Sequence, residues 1–299
     1  MATEPLVSIV TPCYNSAAFL ERTILSVLSQ DYPHLDYFVQ DGGSTDGTKA
    51  ILDRYSDRLR YASERDRGPA DALNRALAQT RGEIVAWINA DDLYLPGAVS
   101  TVVRHFAENP EAGVIYGHGT WVDAEGREIG PYPTAAPYRL GMLAAECGIC
   151  QPAAFMRRET LAAAGWLDAD LHFAFDYELW MRMSALRSFV AVPETLALSR
   201  MHRDNITIGK RREVFAENIA ILRRHYDYVP VNWVYGYMSY RRDGRDQFFE
   251  PLRHSPLLYA AALAVGSMYN RRHLGRYWTE WASRLVGLAR RRRGPHQSL

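Results

Sequence analysis

Ile84-Val85-Ala86-Trp87-Ile88 is an apolar run with the length and β-branched content of a buried strand, and it leads directly into Asn89-Ala90-Asp91-Asp92. Strands of a parallel sheet end in a crevice where ligands bind. A carboxylate pair at that point can hold a hard divalent cation against phosphate oxygens. The same residues also read as a turn, since Asn and Asp favour turns and Pro96 suits the first position of a helix. The run by itself leaves both readings open.

Upstream, Leu6 to Thr11 reads as a first strand, and Asn15-Ser16 as the cap of a helix whose Leu20, Ile24, Val27 and Leu28 share one face. A second strand, Tyr37 to Gln40, enters Asp41-Gly42-Gly43-Ser44-Thr45-Asp46-Gly47, a loop of turn formers. A helix with Ile51, Leu52 and Tyr55 follows, then a short strand near Leu59 to Ala62 and a helix opened by Gly68-Pro69. Downstream of the aspartates, Val99, Val102, Val103 and Phe106 mark another helix. Strand and helix therefore alternate through about the first 110 residues, which predicts a mostly parallel α/β sheet flanked by helices. Thr11, Asp41 and Asp91 fall at its carboxyl ends.

After Gly113 the pattern loosens. Val114 to Tyr116 and Thr120 to Val122 suggest an added sheet, and helices are expected before Gly165, over about Phe175 to Ala185, and over about Arg212 to His225. The expected organisation is a domain over 1–226, in halves at about 1–112 and about 113–226. A helical extension rich in aromatics and arginine follows over 227–299.

The chain of 299 residues has ample apolar content for a core, and no stretch approaches the roughly 18 apolar residues of a membrane span. Met1 to Pro5 lacks the features of a signal peptide, so a cytoplasmic location is expected. Cys147 and Cys150 form a CxxC without a second pair at zinc-site spacing, and read as core or loop thiols. The net charge of +1 hides an asymmetry: from Pro251 onward there are nine arginines and one acid, which leaves the first 250 residues seven charges negative. An acidic body argues against nucleic acid as partner. Leu257 to Val265 is apolar but too short to span, and is followed by Arg271, Arg272, Arg276, Trp278, Trp281, Arg284 and Arg290 to Arg293. Peripheral docking on the cytoplasmic face of an anionic membrane, and packing on the 1–226 domain or a homodimer partner, both fit that pattern.

Between Leu6 and Lys210 the chain resembles the family 2 glycosyltransferases, inverting enzymes of GT-A (Rossmann-like) fold that use nucleotide-activated sugars. The resemblance rests on Val7-Ser8-Ile9-Val10-Thr11-Pro12-Cys13-Tyr14-Asn15, on Gln40 to Thr48, on Gly68 with Ala72-Leu73-Asn74, on Asn89-Ala90-Asp91-Asp92, on Gln151 to Phe155, on Phe175 to Trp180 and on Arg200-Met201-His202. Each piece is weakly specific; their order and spacing are strongly specific. Asn89 departs from the family's Asp-x-Asp-Asp pattern.

The resemblance implies a nucleoside-diphosphate sugar donor, with a UDP-sugar favoured, and a divalent Mn²⁺ or Mg²⁺. Thr11, Pro12, Tyr14, Asn15, Asp41, Gly68 and Asn74 are expected on the donor, with Tyr14 offering a flat face to the base and Asp41 an acceptor for a ring N–H. Asp91 is expected near the ribose and metal, Asp92 on the metal, and His202 near the metal or diphosphate. Arg203, Lys210, Arg211 and Arg212 could supply further positive charge. Asp176, at the head of its helix among Phe173, Phe175 and Tyr177, is expected to take the acceptor hydroxyl's proton; its alternative role is a helix N-cap. The implied acceptor is a saccharide or lipid-linked saccharide in cell-envelope polysaccharide or glycolipid synthesis. Two rivals are a sugar nucleotidyltransferase, which needs a Gly-x-Gly-x-Arg loop where Thr11 to Asn15 stands, and a non-catalytic nucleotide-sugar-binding module.

Overall fold

The computed structural model describes residues 4–139, 141–202, 205–244 and 255–291. Its elements in chain order are β1 (Val7–Cys13), α1 (Leu20–Leu28), β2 (Leu35–Asp41), α2 (Thr48–Arg54), β3 (Arg60–Ser63), α3 (Pro69–Ala78), β4 (Ile84–Trp87), β5 (Leu93–Tyr94), α4 (Ala98–Glu108), β6 (Ala112–Val122), β7 (Glu128–Pro131), β8 (Ala154–Arg157), α5 (Arg158–Ala164), α6 (Phe175–Ser184), β9 (Ser188–Arg200), α7 (Ile206–Gly209), α8 (Arg211–Tyr226), α9 (Val231–Asp243), α10 (Pro256–Tyr269) and α11 (Leu274–Arg291). Contacts divide the chain into two units, one holding 1–143 with 147–209 and the other 144–146 with 210–299. The boundary at Gly209 lies earlier than the sequence suggests, because α8 packs on α9 within the second unit.

The first unit is built on one mixed sheet in the order β3-β2-β1-β4-β8-β6-β9-β5, with β7 paired to β6. The strands β3, β2, β1 and β4 run parallel, as the alternation of strand and helix predicts. β1 is buried at every position, which is how a strand covered on both faces reads as a continuous apolar run. Its Val7, Ile9 and Val10 are fully buried, each worth about 1.5–3 kcal/mol relative to exposure.

The expected added sheet does not form. β8 runs antiparallel between β4 and β6, joining the later strands to the same sheet, and the two segments read after Gly113 are one strand, β6. β9 is likewise a single long strand, which pairs with β6 along most of its length through register shifts. Short local patterns miss this because the bulges interrupt the alternation of period two. Gly165 does stop α5, in the left-handed conformation at φ 89°.

The second unit is helical. Tyr235 of α9 lies against Tyr259 of α10 with ring centroids 4.3 Å apart, and the Tyr277 hydroxyl of α11 donates to the Ala262 carbonyl of α10 at 2.8 Å. Gly266 of α10 is what admits that ring, since a side chain there would collide with it. Among the described residues no helix is long and apolar enough to cross a membrane.

Candidate active site

The segment after β4 is held from three sides. Thr23 of α1 donates its hydroxyl to the carbonyls of Ala90 and Asp92, at 2.9 and 2.8 Å. Gln151 donates to the Trp87 carbonyl at 2.8 Å, and its own carbonyl oxygen accepts from the Asn89 amide at 3.2 Å. Arg200, at the end of β9 and 1% exposed, donates through Nε to the Asp91 carbonyl and through Nη1 to the carbonyls of Asp123 and Ala124, all at 2.9 Å. This turn is therefore a rigid part of the sheet rim.

The two aspartates have different environments. Asp92 is 3% exposed, and both of its oxygens are engaged: Oδ1 accepts the Arg200 amide at 2.8 Å and Oδ2 the Asn89 side-chain amide at 3.1 Å. Burial, reinforced by the neighbouring charge of Asp91, pushes its carboxyl well above the usual range. Asn89 explains itself here, since an aspartate in its place would set a second carboxylate against Asp92 without a donor. Asp91 points elsewhere. Its Oδ2 lies 3.0 Å from Nε2 of His202 and 3.5 Å from the Asn205 amide. The His202 ring packs on Phe19 at 4.6 Å between centroids, and the Arg200 guanidinium lies 5.1 Å from the centre of the same phenyl ring.

Asp91 and His202 form a carboxylate and imidazole pair suited to a divalent cation whose other positions are filled by diphosphate and water. Among the described residues no group of three His, Cys, Asp or Glu forms a closed metal cage. The donor set thus suits an ion carried with a phosphate ligand. Asp92, expected on the metal, has both oxygens committed to the protein.

At the end of β2, Asp41 is fully buried. It accepts from the Ser44 amide at 3.1 Å, the Ser44 hydroxyl, the Ser63 hydroxyl at 2.6 Å and the Cys13 thiol at 3.8 Å. Expected as the acceptor for a base, it is spent on organising its own loop. A carboxylate that shares a corner with the exposed ring of Tyr14 is that of Asp66, a residue the sequence reading passed over. A methyl group built on Gly42 would lie 2.7 Å from Asp66 Oδ2 and 3.4 Å from Tyr14 Cδ2, so the glycine lets carboxylate and ring share one corner. Asp66 Oδ1 accepts the Gly68 amide at 2.9 Å; among the described residues no donor is bonded to Oδ2. Burial raises the Asp66 carboxyl above its ordinary value.

The other expected residues divide into frame and surface. Thr11 is buried with its hydroxyl 3.0 Å from that of Tyr37, and Pro12 is buried beside it. Asn15 adopts the left-handed conformation at φ 48°, which asparagine tolerates. Rather than capping α1, which starts at Leu20, it accepts the Thr45 amide at 2.9 Å and ties the loop after β1 to the loop after β2. Gly68 is left-handed at φ 129° and lies close to His172. Asn74 is a structural clamp, its amide group exchanging hydrogen bonds of 2.8 and 3.1 Å with the Leu167 backbone. Lys210 and Arg211 belong to the second unit, where Lys210 is exposed and the buried Arg211 guanidinium lies 4.4 Å from the centre of the Phe215 ring. Arg203 lies outside the described residues.

Asp176 is the second residue of α6 and partly exposed, with Oδ1 accepting the Tyr177 amide at 2.7 Å. The N-cap position belongs to Ala174. The helix is anchored to the strand that leads to the aspartates: Trp180 stacks on Trp87 with centroids 5.6 Å apart and planes at 10°, and Phe175 approaches the same indole at 6.4 Å.

A family model described as glycosyl transferase family 2 matches residues 8–187. The chondroitin synthase of Escherichia coli is 26% identical over 217 residues, 72% of this chain and 31% of that protein. The chain spans only 30% to 66% of the length of the first curated relatives it matches, Rickettsia proteins named as uncharacterized glycosyltransferases. Among solved structures, S. aureus TarS 1-349 in complex with UDP-GlcNAc is 18% identical with a TM-score of 0.58, covering 92% of each chain. The mannosyltransferase PcManGT from Pyrobaculum calidifontis, solved with GDP-Man and Mn²⁺, is 23% identical with a TM-score of 0.54, covering 99% of this chain and 77% of its own. The two structural likenesses establish the GT-A fold of the sheet and its helices.

Proposed function

The chain belongs to glycosyl transferase family 2, and from that premise we propose that it moves one sugar, with inversion, from a nucleoside-diphosphate sugar to a hydroxyl of a saccharide or lipid-linked saccharide acceptor. The observation that carries the reading is the pairing of Asp91 with His202 at the rim of the parallel strands. Neighbours of the same fold were solved with UDP-GlcNAc and with GDP-Man and Mn²⁺, which supports a nucleotide-sugar donor and a divalent ion. Chondroitin synthase among the relatives supports a polysaccharide product.

In this reading Asp91 and His202 hold a Mn²⁺ or Mg²⁺ ion. Bound there, the ion supplies Lewis-acid neutralisation of the charge that develops on the departing diphosphate. Tyr14 stacks on the base while Asp66 Oδ2 accepts a ring N–H. Arg200 and Asn89 keep the aspartate turn from shifting as the charge on the ligand changes. Asp176 takes the proton of the acceptor hydroxyl as its oxygen bonds to the anomeric carbon. The bond from that carbon to the diphosphate oxygen breaks on the opposite face, and nucleoside diphosphate leaves.

The test is a panel of nucleoside diphosphates and their sugars with and without Mn²⁺, read by thermal shift and by slow release of nucleoside diphosphate from the donor. Stabilisation by one nucleotide with metal-dependent release supports an enzyme. Stabilisation with no release under any metal would leave a binding module and end the transferase reading.

A further inference from the structure

The geometry points to a membrane-docking face on the second unit, formed by α10 and α11 and fitted to an anionic lipid surface. This inference does not depend on the transfer reaction. α10 carries no charged residue over its 14 positions. One face of it, with Leu258, Tyr259, Ala262 and Gly266, is buried. The other runs through Leu257, Ala260, Ala264 and Met268 at helical spacing and is open to solvent, with Leu257 84% and Met268 65% exposed. A helix that is apolar all round belongs in a core or at a lipid boundary, and half of this one is in water.

The exposed stripe continues onto the next helix. Trp278 of α11 donates its indole N–H to the Ser267 hydroxyl of α10 at 2.9 Å, and is itself 53% exposed. Leu285, two turns along on the same side of α11, is also exposed. At a rise of 1.5 Å per residue, α10 is about 21 Å long, short of the roughly 30 Å hydrocarbon core, so the hairpin is suited to lie in the interface rather than cross it.

Charge selects the occupant. Arg271 and Arg272 are exposed in the turn between the two helices, and Arg276 and Arg284 lie on the polar side of α11. The sole acid of the segment from Pro251 onward, Glu280, is engaged by the Tyr228 hydroxyl at 2.6 Å, the Val231 amide and the Arg284 guanidinium, both at 3.1 Å. Arg272 also faces Asp227 at 3.6 Å, as does His273 at 3.4 Å. A second copy docking on the same face by a twofold axis would bring arginines against arginines. An anionic headgroup layer attracts each of them.

The test uses the full chain in flotation with vesicles of phosphatidylcholine alone or with phosphatidylglycerol, at low and high salt. The expected result is strong binding to the anionic vesicles that high salt weakens. Met268→Glu and the pair Arg271→Ser with Arg272→Ser should each lower binding about tenfold or more, with unfolding midpoints unchanged because these side chains are exposed. Equal flotation of the native chain and both variants would overturn the proposal. So would a dimer in sedimentation that Met268→Glu dissociates while vesicle binding is absent throughout, which would assign the face to a second copy.

Discussion

Nε2 of His202 stands 3.0 Å from Oδ2 of Asp91 across 111 residues of chain. A contact that distant in sequence persists only because each partner is fixed locally: Asp91 by the Arg200 and Thr23 hydrogen bonds around its turn, His202 by the face of Phe19. Asp91→Asn and His202→Ala should each weaken Mn²⁺ binding in the presence of a nucleoside diphosphate by about tenfold or more, and slow transfer by about a hundredfold. Asp91→Asn should nearly hold stability, being isosteric, whereas His202→Ala also gives up the ring contact with Phe19. Asp92→Asn should behave in the opposite sense. It sets two amide groups face to face at Asn89 in a buried site, costing about 1–3 kcal/mol. Calorimetric metal titration beside denaturant unfolding separates the two aspartates; equal metal loss in both would remove the distinction.

The Asp66 carboxylate is expected to read the base. Asp66→Asn should weaken UDP about tenfold, and Tyr14→Ala should cost about 1–3 kcal/mol of nucleotide affinity through lost stacking. Gly42→Ala should have a comparable effect, since its methyl would displace Oδ2. The pH dependence has a definite sign. Burial raises the Asp66 carboxyl, so acceptance of a ring N–H is present above that raised value and is lost as pH falls through it. Uridine, which lacks titrating phosphates, should bind more weakly on acidification from a higher pH than an ordinary carboxylate would dictate. In Asp66→Asn the slope should vanish; an unchanged slope would assign it to another group.

The parallel half of the sheet was legible because three buried strands and the edge strand β3 alternate with helices of period 3.6, and each leaves its signature within a dozen residues. The site was legible only in part. The pattern around Asp91 and His202 could be read from order and spacing, but which of two adjacent aspartates faces outward depends on Arg200 and Asn89, whose hydrogen bonds span the fold. Asp41 looked available because sequence carries no record of Ser63 reaching it from a neighbouring strand. Asp66 had a signal, a carboxylate two residues before a glycine, yet its approach to Tyr14 arises only when the loop after β3 meets those after β1 and β2 around Gly42.

Arg200 is expected to act as a positioning residue for the pair it does not touch as a ligand. Arg200→Met removes donors from the Asp91, Asp123 and Ala124 carbonyls in a buried setting and should destabilise the fold by about 3 kcal/mol. Arg200→Lys should recover part of that stability but little of the metal affinity, because a compact ammonium does not reproduce the planar fork that reaches the three carbonyls from Nε and Nη1 over the Phe19 ring. Phe19→Leu offers an independent check, loosening His202 while leaving the Arg200 hydrogen bonds in place. A variant series in which metal affinity merely tracks stability would reduce Arg200 to a structural role.

Asp176 carries the last expectation. A carboxylate that removes the acceptor proton contributes about 10²–10⁴ in rate and nothing to donor affinity, so Asp176→Asn should lower transfer by that factor while the nucleotide dissociation constant stays within about twofold. Its helix is held against Trp87 by Trp180 and Phe175, and the isosteric asparagine keeps a side-chain oxygen for the Tyr177 amide, so the unfolding midpoint should change little. Trp180→Ala provides the contrast. Loss of the stacked indole should cost about 3–5 kcal/mol and let α6 shift relative to β4, lowering transfer with Asp176 intact. Nucleotide titration beside a transfer assay distinguishes the cases. Full turnover by Asp176→Asn would take this residue out of the chemistry and send the search for the base to another group.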